Sequence, residues 1–342
     1  MANVKLNDLQ SWLMNTLTGL KMTQENAELV TDTVMRATLR GVGHHDIYDF
    51  PGRLNGLLEG KYPPNPDFQP IASFKTMESW DGGNGLGELI CSFAMERAMK
   101  LADEYGIGLC AMRNSNHYMA AAPYVERASE RGYIALLLCK GTPTMGAPGR
   151  TEKVVGTLPM GFAVPTDHGY PIMLDACMAY ASFGVLKAHM DSCTPVPAYW
   201  GFDKEGNPTT DPAAMAQGTR LPIGGHKGFG LAVLGEVLTA LLSDGCLIDE
   251  KDELHNHPDP TCHTAIAIKA DALMDMDRFR ARSGDLIDLM CARAPGLHVP
   301  GQGSSKKKDE FLQAGCIDLK ESLLEKLDAF SQASGLAPLP RE

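Results

Sequence analysis

The strongest constraint on the fold is a change of hydrophobic pattern in the middle of the chain. Between about residues 74 and 270, short apolar runs alternate with longer segments of helical period. The predicted buried strands are IGLCAMR, YIALLLC, GFAVPT and PIMLDAC, and the predicted helices are 88–104, 120–131, 179–189 and 228–242. Strands that alternate with helices in this way predict an α/β domain.

The two ends of the chain have a different pattern. Helical periodicity runs from Leu6 to about residue 60, with Thr23 as a predicted N-cap, and returns after TAIAIKADAL. KYPPNPDFQP, rich in Pro and polar residues, is the first predicted linker. We therefore predict an α/β domain at 73–272, inserted into a helical domain built from residues 1–72 and 273–342.

Composition excludes several classes of protein. The 44% hydrophobic content can fill a sizeable core, and the net charge of −11 disfavours nucleic acid and anionic membrane surfaces as partners. The start MANVKLNDLQSWL has no secretory pattern, and no apolar run is long enough to span a membrane. The nine cysteines are odd in number and form no CxxC pair, which favours reduced thiols. We expect a soluble, cytoplasmic protein.

Two glycine-rich stretches are candidate ligand loops. DGGNGLGEL lacks the GxGxxG spacing of a Rossmann dinucleotide site and is interpreted as a turn before a helix. In LPIGGHKGFG, four glycines surround His226 and Lys227 just before an apolar helix, an arrangement suited to an anion. A flexible helix entry is the alternative there.

Other candidate residues stand at strand ends or in loops. His117 in RNSNHYM follows a predicted strand, where open α/β sheets bind ligands, although the residue taken alone is better interpreted as a structural histidine. Lys140 ends one strand, and Asp175 within IMLDAC is predicted to be buried and to need a partner. HNHPDPTCH is predicted to be a solvated loop and not a metal site, because its spacing matches no common zinc pattern. The lysines at 306–308 are predicted to start a helix, with contact to a cofactor phosphate as the alternative.

The stretch RGVGHHDIYDFPGRL places His44 and His45 beside Asp46 and Asp49. A polar linker between helices, a metal site and an acid/base station are all compatible with these letters. Imidazole exchanges protons near neutral pH, which favours the third interpretation modestly.

In order along the chain, these motifs resemble the malate/L-lactate dehydrogenase family of the non-Rossmann type, closest to members that reduce diketo sugar acids. EYGIGLCAMRNSNHYM, GTLPMGFAVP, GFDKEGNPTTDP, LPIGGHKGFG and LLSDG carry the resemblance, which runs from about Leu6 to the C-terminal helix. It implies a homodimer that uses NAD(H) or NADP(H), with a slight preference for NAD(H), to reduce a 2-oxo acid or diketo sugar acid reversibly.

The resemblance also implies roles for individual residues. His45 becomes the proton donor, as an imidazolium that neutralises charge on the carbonyl oxygen, and His117 and Lys140 become further catalytic candidates. The implied cofactor contacts are Pro171, Ile172, Met173, Leu174, Asp175, Ala176, Cys177, His226, Lys227, Gly301, Gln302 and Gly303. No metal ligand is implied.

The chain departs from the family pattern around His45. His44, Asp46 and Asp49 replace the family's serine, glycine and arginine, and an aspartate at 49 is expected to repel a substrate carboxylate. Arg53 or Lys140 is a candidate for the missing positive charge, so His44, Asp46, Asp49 and Arg53 are candidate substrate residues. The alternatives are a cyclic imine reductase, with Asp46 or Asp49 holding a cationic nitrogen, and a cofactor-binding protein without catalysis.

Overall fold

A computed structural model describes residues 2–248, 250 and 261–341 of the chain. Its helices are α1 (Leu6–Gly19), α2 (Gln24–Leu39), α3 (Phe50–Leu58), α4 (Gly87–Tyr105), α5 (Ala122–Glu130), α6 (Phe183–Asp191), α7 (Pro212–Gln217), α8 (His226–Glu236), α9 (Met276–Arg293), α10 (Gln302–Ala314) and α11 (Glu321–Ser334). Its strands are β1 (Ala2–Lys5), β2 (Gln69–Phe74), β3 (Met77–Gly85), β4 (Ile107–Ser115), β5 (Tyr133–Lys140), β6 (Met160–Val164), β7 (Ile172–Ala176), β8 (Gly201–Phe202), β9 (Thr219–Arg220), β10 (Thr261–Lys269) and β11 (Cys316–Leu319). A π-helical turn at Val237–Leu241 extends α8.

The centre of the molecule is a mixed sheet with the order β2-β3-β4-β10-β5-β6-β7. The pair β3 and β4 is parallel and joined through α4, whereas the other neighbours are antiparallel. A doubly wound Rossmann sheet is mostly parallel. The predicted α/β class and its non-Rossmann character are therefore confirmed.

The N- and C-terminal segments pack together in one apolar core. The strands β1 and β11 pair antiparallel, with Val4 opposite Ile317, and both residues belong to the core that holds Leu13 and Leu324. Leu89 of α4 joins the same core, so it is continuous with the helices that cover the sheet. This is the association expected of the two ends, while the domain boundaries at residues 72 and 272 remain predictions.

Three sequence-based interpretations need correction. Cys262 and His263 lie in β10 and are fully buried, so the predicted solvated loop does not extend to them; His255 and His257 lie outside the described residues. DGGNG forms the end of β3, not a turn before α4. The lysines at 306–308 lie within α10, which begins at Gln302. In the described part of the chain, no helix combines the length and apolar character that a bilayer span requires.

Candidate active site

The loop between α2 and α3 carries the two adjacent histidines and is fixed by Asp46. Its buried carboxylate accepts hydrogen bonds from the backbone N–H of Gly43 (2.6 Å) and of Tyr48 (3.0 Å). Such Asp-to-backbone bonds stabilise tight turns. The structure thus gives Asp46 a role in shaping the loop, and its carboxylate is not free to hold a cationic nitrogen.

Three imidazole rings form a row beside this loop. The ring centroids of His44 and His45 are 4.4 Å apart, and those of His45 and His117 are 4.7 Å apart in an edge-on arrangement. At the other end of the row, a Cβ on Gly184 of α6 would lie 2.0 Å from the His44 ring, so only glycine fits there. The fold thus brings together His45 and His117, the two histidines proposed as catalytic from sequence.

Arg53 of α3 is the cation of the site. Its Nη1 lies 2.6 Å from Asp49 Oδ2, its Nε 3.0 Å from Glu88 Oε1, and its Nη2 2.6 Å from His117 Nδ1. Arg53 therefore neutralises the aspartate that was expected to repel a carboxylate. Each of its three nitrogens is engaged in one of these contacts.

Glu88 is a site residue that the sequence analysis missed. It lies in the first turn of α4, fully buried, and burial raises the pKa of its carboxyl group while Arg53 lowers it. The available signal was a glutamate within the apolar run LGELIC, since a buried carboxylate needs a partner.

The hydrogen bonds of His117 fix its tautomer. Nδ1 accepts from the Arg53 guanidinium and from the Met119 backbone N–H, which lies 3.1 Å away. Both partners can only donate, so Nδ1 carries no proton and the neutral ring holds its proton on Nε2. His117 is solvent accessible and can present this Nε2–H to a ligand.

In the absence of ligand, the surroundings favour the neutral forms of His45 and His117. Burial, with the nearby His44 and Arg53, lowers the pKa of His45 to about 3. Crowding by neighbouring atoms, with Arg53 and His45, also holds the pKa of the accessible His117 ring well below its usual range. The expected imidazolium at His45 is therefore not the resting state, because a ring with this pKa is neutral at pH 7.

Lys140 and Asp175 have partners within the protein. Lys140, buried at the end of β5, lies opposite Cys262 of β10, and its charge lowers the pKa of Glu236 of α8, which burial raises. Asp175 Oδ2 accepts from the Ala122 N–H (2.8 Å) at the start of α5. Asp175 is solvent accessible, contrary to the predicted burial, although crowding by its neighbours raises the pKa of its carboxyl group.

Two of the predicted cofactor segments lie against each other. Met173 N–H donates to Pro300 O (3.0 Å), and Gly301 has a positive φ of 93°. A Cβ on Gly301 would lie 2.6 Å from Pro171 O and 2.9 Å from Met173 N. The backbone at 301–303 therefore approaches the edge strand β7, along which Ile172, Leu174, Asp175 and Ala176 follow in order, with Cys177 just beyond.

The start of α8 has the form of an anion site. Gly224 and Gly225 have positive φ values of 59° and 62° and turn the chain into the helix, which begins at His226. His226 and Lys227 are both exposed in the first turn. The positive helix end, with an exposed lysine, fits the phosphates of a dinucleotide.

Comparison with known proteins places this arrangement in context. Residues 4–328 match the family model described as malate/L-lactate dehydrogenase. A 2,3-diketo-L-gulonate reductase of Citrobacter koseri is 32% identical over 312 residues, which cover 89% of this chain and 93% of that protein. The structure of sulfolactate dehydrogenase from Methanocaldococcus jannaschii superposes with a TM-score of 0.87 at 27% identity, covering 98% of both chains. A malate dehydrogenase structure from Entamoeba histolytica has a TM-score of 0.91 at 24% identity, covering 99% of both chains, and shows the shared fold.

Proposed function

The chain belongs to the malate/L-lactate dehydrogenase family, whose members are pyridine-nucleotide-dependent oxidoreductases of hydroxy and oxo acids, and from this premise we propose that it reduces a 2-oxo acid or a diketo sugar acid reversibly to the 2-hydroxy acid. Relatives named for 2,3-diketo-L-gulonate, L-sulfolactate and malate support this substrate class. The observation that carries the proposal is the edge-on pair of His45 and His117 beside Arg53.

His117 polarises the substrate carbonyl in this mechanism. A bound nicotinamide supplies the hydride. The Nε2–H of His117 donates to the carbonyl oxygen and stabilises the negative charge that develops there. Because Arg53 holds His117 in one tautomer, this donor is available at every pH at which the ring is neutral.

His45 moves the proton. In the oxidation direction, its neutral ring accepts the hydroxyl proton of the 2-hydroxy acid. In the reduction direction, the ring first takes a proton from solvent and then gives it to the new alkoxide oxygen. Because the pKa of free His45 is low, the ring is neutral in the absence of ligand and is ready to accept a proton in the oxidation direction. An anionic substrate beside the ring favours the protonated form that reduction needs.

The test is a panel of 2-oxo acids, diketo sugar acids and cyclic imino acids assayed with NADH and NADPH. We expect turnover of at least one oxo acid, a loss of roughly a hundredfold or more in kcat for His45→Ala, and unchanged NADH binding. His189→Ala alters a histidine in the last turn of α6, whose ring hydrogen-bonds Thr194, and is the matched control. Full turnover by His45→Ala contradicts the assignment.

We propose NAD(H) as the preferred cofactor. Of the lysines suited to a 2′-phosphate, Lys308 lies 2.5 Å from the buried Glu126, and Lys306 lies 3.9 Å from Glu310. These carboxylates compete with a cofactor phosphate for the lysine charges. A higher kcat/KM with NADH than with NADPH is the expected result.

We also propose a homodimer. The helix α8 and its π-helical turn expose an apolar stripe that includes Leu231, Leu234, Val237 and Leu241. A stripe of this kind is typical of a protein–protein interface, and a second copy of the chain is the partner that the family resemblance favours.

The nine cysteines are free thiols in this structure, which agrees with a cytoplasmic location.

A further inference from the structure

The side chain of Arg220 is a buried cation for which the described part of the chain provides no hydrogen-bond or ion-pair partner. The backbone of Arg220 is fixed in β9, where its N–H donates to Thr144 O (3.1 Å) and its carbonyl accepts from the Gly146 N–H (3.0 Å). The residue is 9% exposed. Among the residues that the structure describes, no carboxylate, carbonyl or hydroxyl oxygen bonds or pairs with its guanidinium. Burial lowers the pKa of Arg220.

Other buried arginines of the chain show what is missing. Arg40 is also buried, but it pairs with Glu126 at 2.6 Å and donates to Ser304 and Ser305. An unpaired buried charge is costly, so proteins neutralise it or use it. Fully enclosed nitrogens without a hydrogen-bond partner occur in Arg40 and Arg127 but not in Arg220. The Arg220 guanidinium therefore keeps an opening through which a ligand can reach it.

A hydrogen bond joins the segment after Arg220 to the segment that leads to the histidine row. The positive charge of Arg220 lowers the pKa of the Cys177 thiol, which burial raises, and Cys177 ends the predicted cofactor segment 171–177. The segment after Cys177 is hydrogen-bonded to the segment after Arg220, through Tyr180 N–H to Leu221 O (2.9 Å). The segment that contains Tyr180 continues to Gly184, which lies against the ring of His44.

We propose that Arg220 binds the carboxylate of the substrate. This inference rests on the proposed function and names the positive charge that replaces the family's arginine, whose position Asp49 occupies. Arg53 already pairs with Asp49 and Glu88 and donates to His117, so its charge is shared within the protein. A guanidinium with three open nitrogens holds both oxygens of a carboxylate in a planar pair of hydrogen bonds.

The test compares Arg220→Met and Arg220→Lys with Arg150→Met, a matched control at an exposed arginine of a neighbouring loop. Oxalate binding to the NADH-loaded protein is measured by calorimetry, alongside NADH affinity by fluorescence titration. We expect oxalate affinity and kcat/KM for the 2-oxo acid to fall roughly tenfold to a hundredfold in Arg220→Met, with NADH affinity unchanged. Arg220→Lys should recover part of the loss.

Two further readouts separate recognition from structure. The preference for a 2-oxo acid over its uncharged amide should fall in Arg220→Met, which damage to the fold does not predict. The melting temperature of Arg220→Met should equal or exceed that of the wild type, because the variant removes an unpaired buried charge.

The contrary outcomes are distinct. Weakened NADH binding with unchanged oxalate binding assigns Arg220 to a cofactor phosphate and overturns the proposal, as does unchanged binding of both ligands or a wild type that does not bind oxalate. If no oxo acid is turned over but oxalate binding still depends on Arg220, the proposed function fails while the carboxylate site stands.

Discussion

The Nη2 atom of Arg53 lies 2.6 Å from Nδ1 of His117. Because guanidinium can only donate, this contact fixes the His117 proton on Nε2, and the backbone N–H of Met119 supports the same tautomer. In the proposed mechanism, this cation acts on the substrate through the imidazole of His117. Asp49 and Glu88 both pair with the guanidinium and offset its positive charge.

Replacing Arg53 should remove the shorter of the two hydrogen bonds to Nδ1 of His117 and leave the one from the Met119 N–H. In Arg53→Met we expect the ¹⁵N chemical shift of His117 Nδ1 in histidine-labelled protein to move in the direction of a weaker hydrogen-bond acceptor, and kcat to fall roughly tenfold to a hundredfold. Arg53→Lys should recover part of the activity. Arg131→Met, which removes an arginine paired with Glu96 at a remote surface, is the control. An unchanged His117 spectrum in Arg53→Met would contradict the assigned hydrogen bond.

The low pKa of His45 predicts different pH profiles for the two reaction directions. Reduction needs the protonated ring, whose fraction in free enzyme rises tenfold for each pH unit as pH falls toward about 3. The kcat/KM of reduction should therefore rise steadily from pH 8 to pH 5. Oxidation needs the neutral ring, so its kcat/KM should be flat over this range. A plateau in the reduction profile below pH 7 would show that His45 titrates near its ordinary pKa.

The buried His263 predicts acid sensitivity of the fold. Burial lowers the pKa of His263 to about 4, and its Nε2 lies 2.8 Å from Ser115 Oγ and 3.1 Å from Asn116 O. The unfolded chain binds a proton at this residue below about pH 6.5, whereas the folded chain does so only near pH 4. Its contribution to the free energy of unfolding is thus present above pH 6.5 and declines by about 1.4 kcal/mol for each pH unit as pH falls toward 4.

Urea unfolding of the wild type and of His263→Gln between pH 6.5 and 4.5 measures this contribution. The variant should be less stable at pH 7 and should lose stability less steeply as pH falls. The exposed His298 provides the control variant His298→Gln. Parallel pH profiles for wild type and His263→Gln would exclude His263 as the cause.

The sequence was sufficient to predict the fold class because strand and helix periods are local signals. The strands IGLCAMR and YIALLLC were found correctly as parts of β4 and β5. The strand β10 was not predicted, and Cys262 and His263 were assigned to a loop because they follow a His- and Pro-rich stretch. Pairing with β4 on one side and β5 on the other overrides this local preference.

The site was less accessible to sequence reasoning because its partners are distant along the chain. His45 and His117 were singled out by resemblance, but nothing local indicates that Arg53 contacts His117 or that Glu88 lies behind Arg53. The effect of Asp49 was predicted as repulsion because its partner, one helical turn away, was not assigned. Arg220 gave no signal, since a missing partner is visible only in three dimensions.

The exposed stripe on α8 predicts an interface that a single charge can break. Leu241 and Leu234 are 57% and 48% exposed, and burying a glutamate against apolar side chains is costly. Leu241→Glu should therefore sediment as a monomer at concentrations at which the wild type is a dimer. Leu273→Glu changes a leucine that is 96% exposed at another position and should leave the dimer intact. A monomeric wild type would contradict the proposal.

A close backbone approach in the proposed cofactor region predicts the effect of one methyl group. A Cβ at Gly301 would meet Pro171 O at 2.6 Å and Met173 N at 2.9 Å, so Gly301→Ala must push the loop away from β7. We expect NADH affinity to fall roughly tenfold or more, since small displacements of binding groups are costly, with the measurement made by fluorescence titration.

A matched substitution separates this contact from backbone strain. Gly296 has nearly the same φ as Gly301, 84° against 93°, but a Cβ there would meet no atom within 4 Å. Gly296→Ala therefore carries the same left-handed strain without the clash against β7. It should lower the melting temperature slightly and leave NADH affinity unchanged. Equal losses of affinity in both variants would assign the effect to strain and would remove the support for a cofactor site between Gly301 and β7.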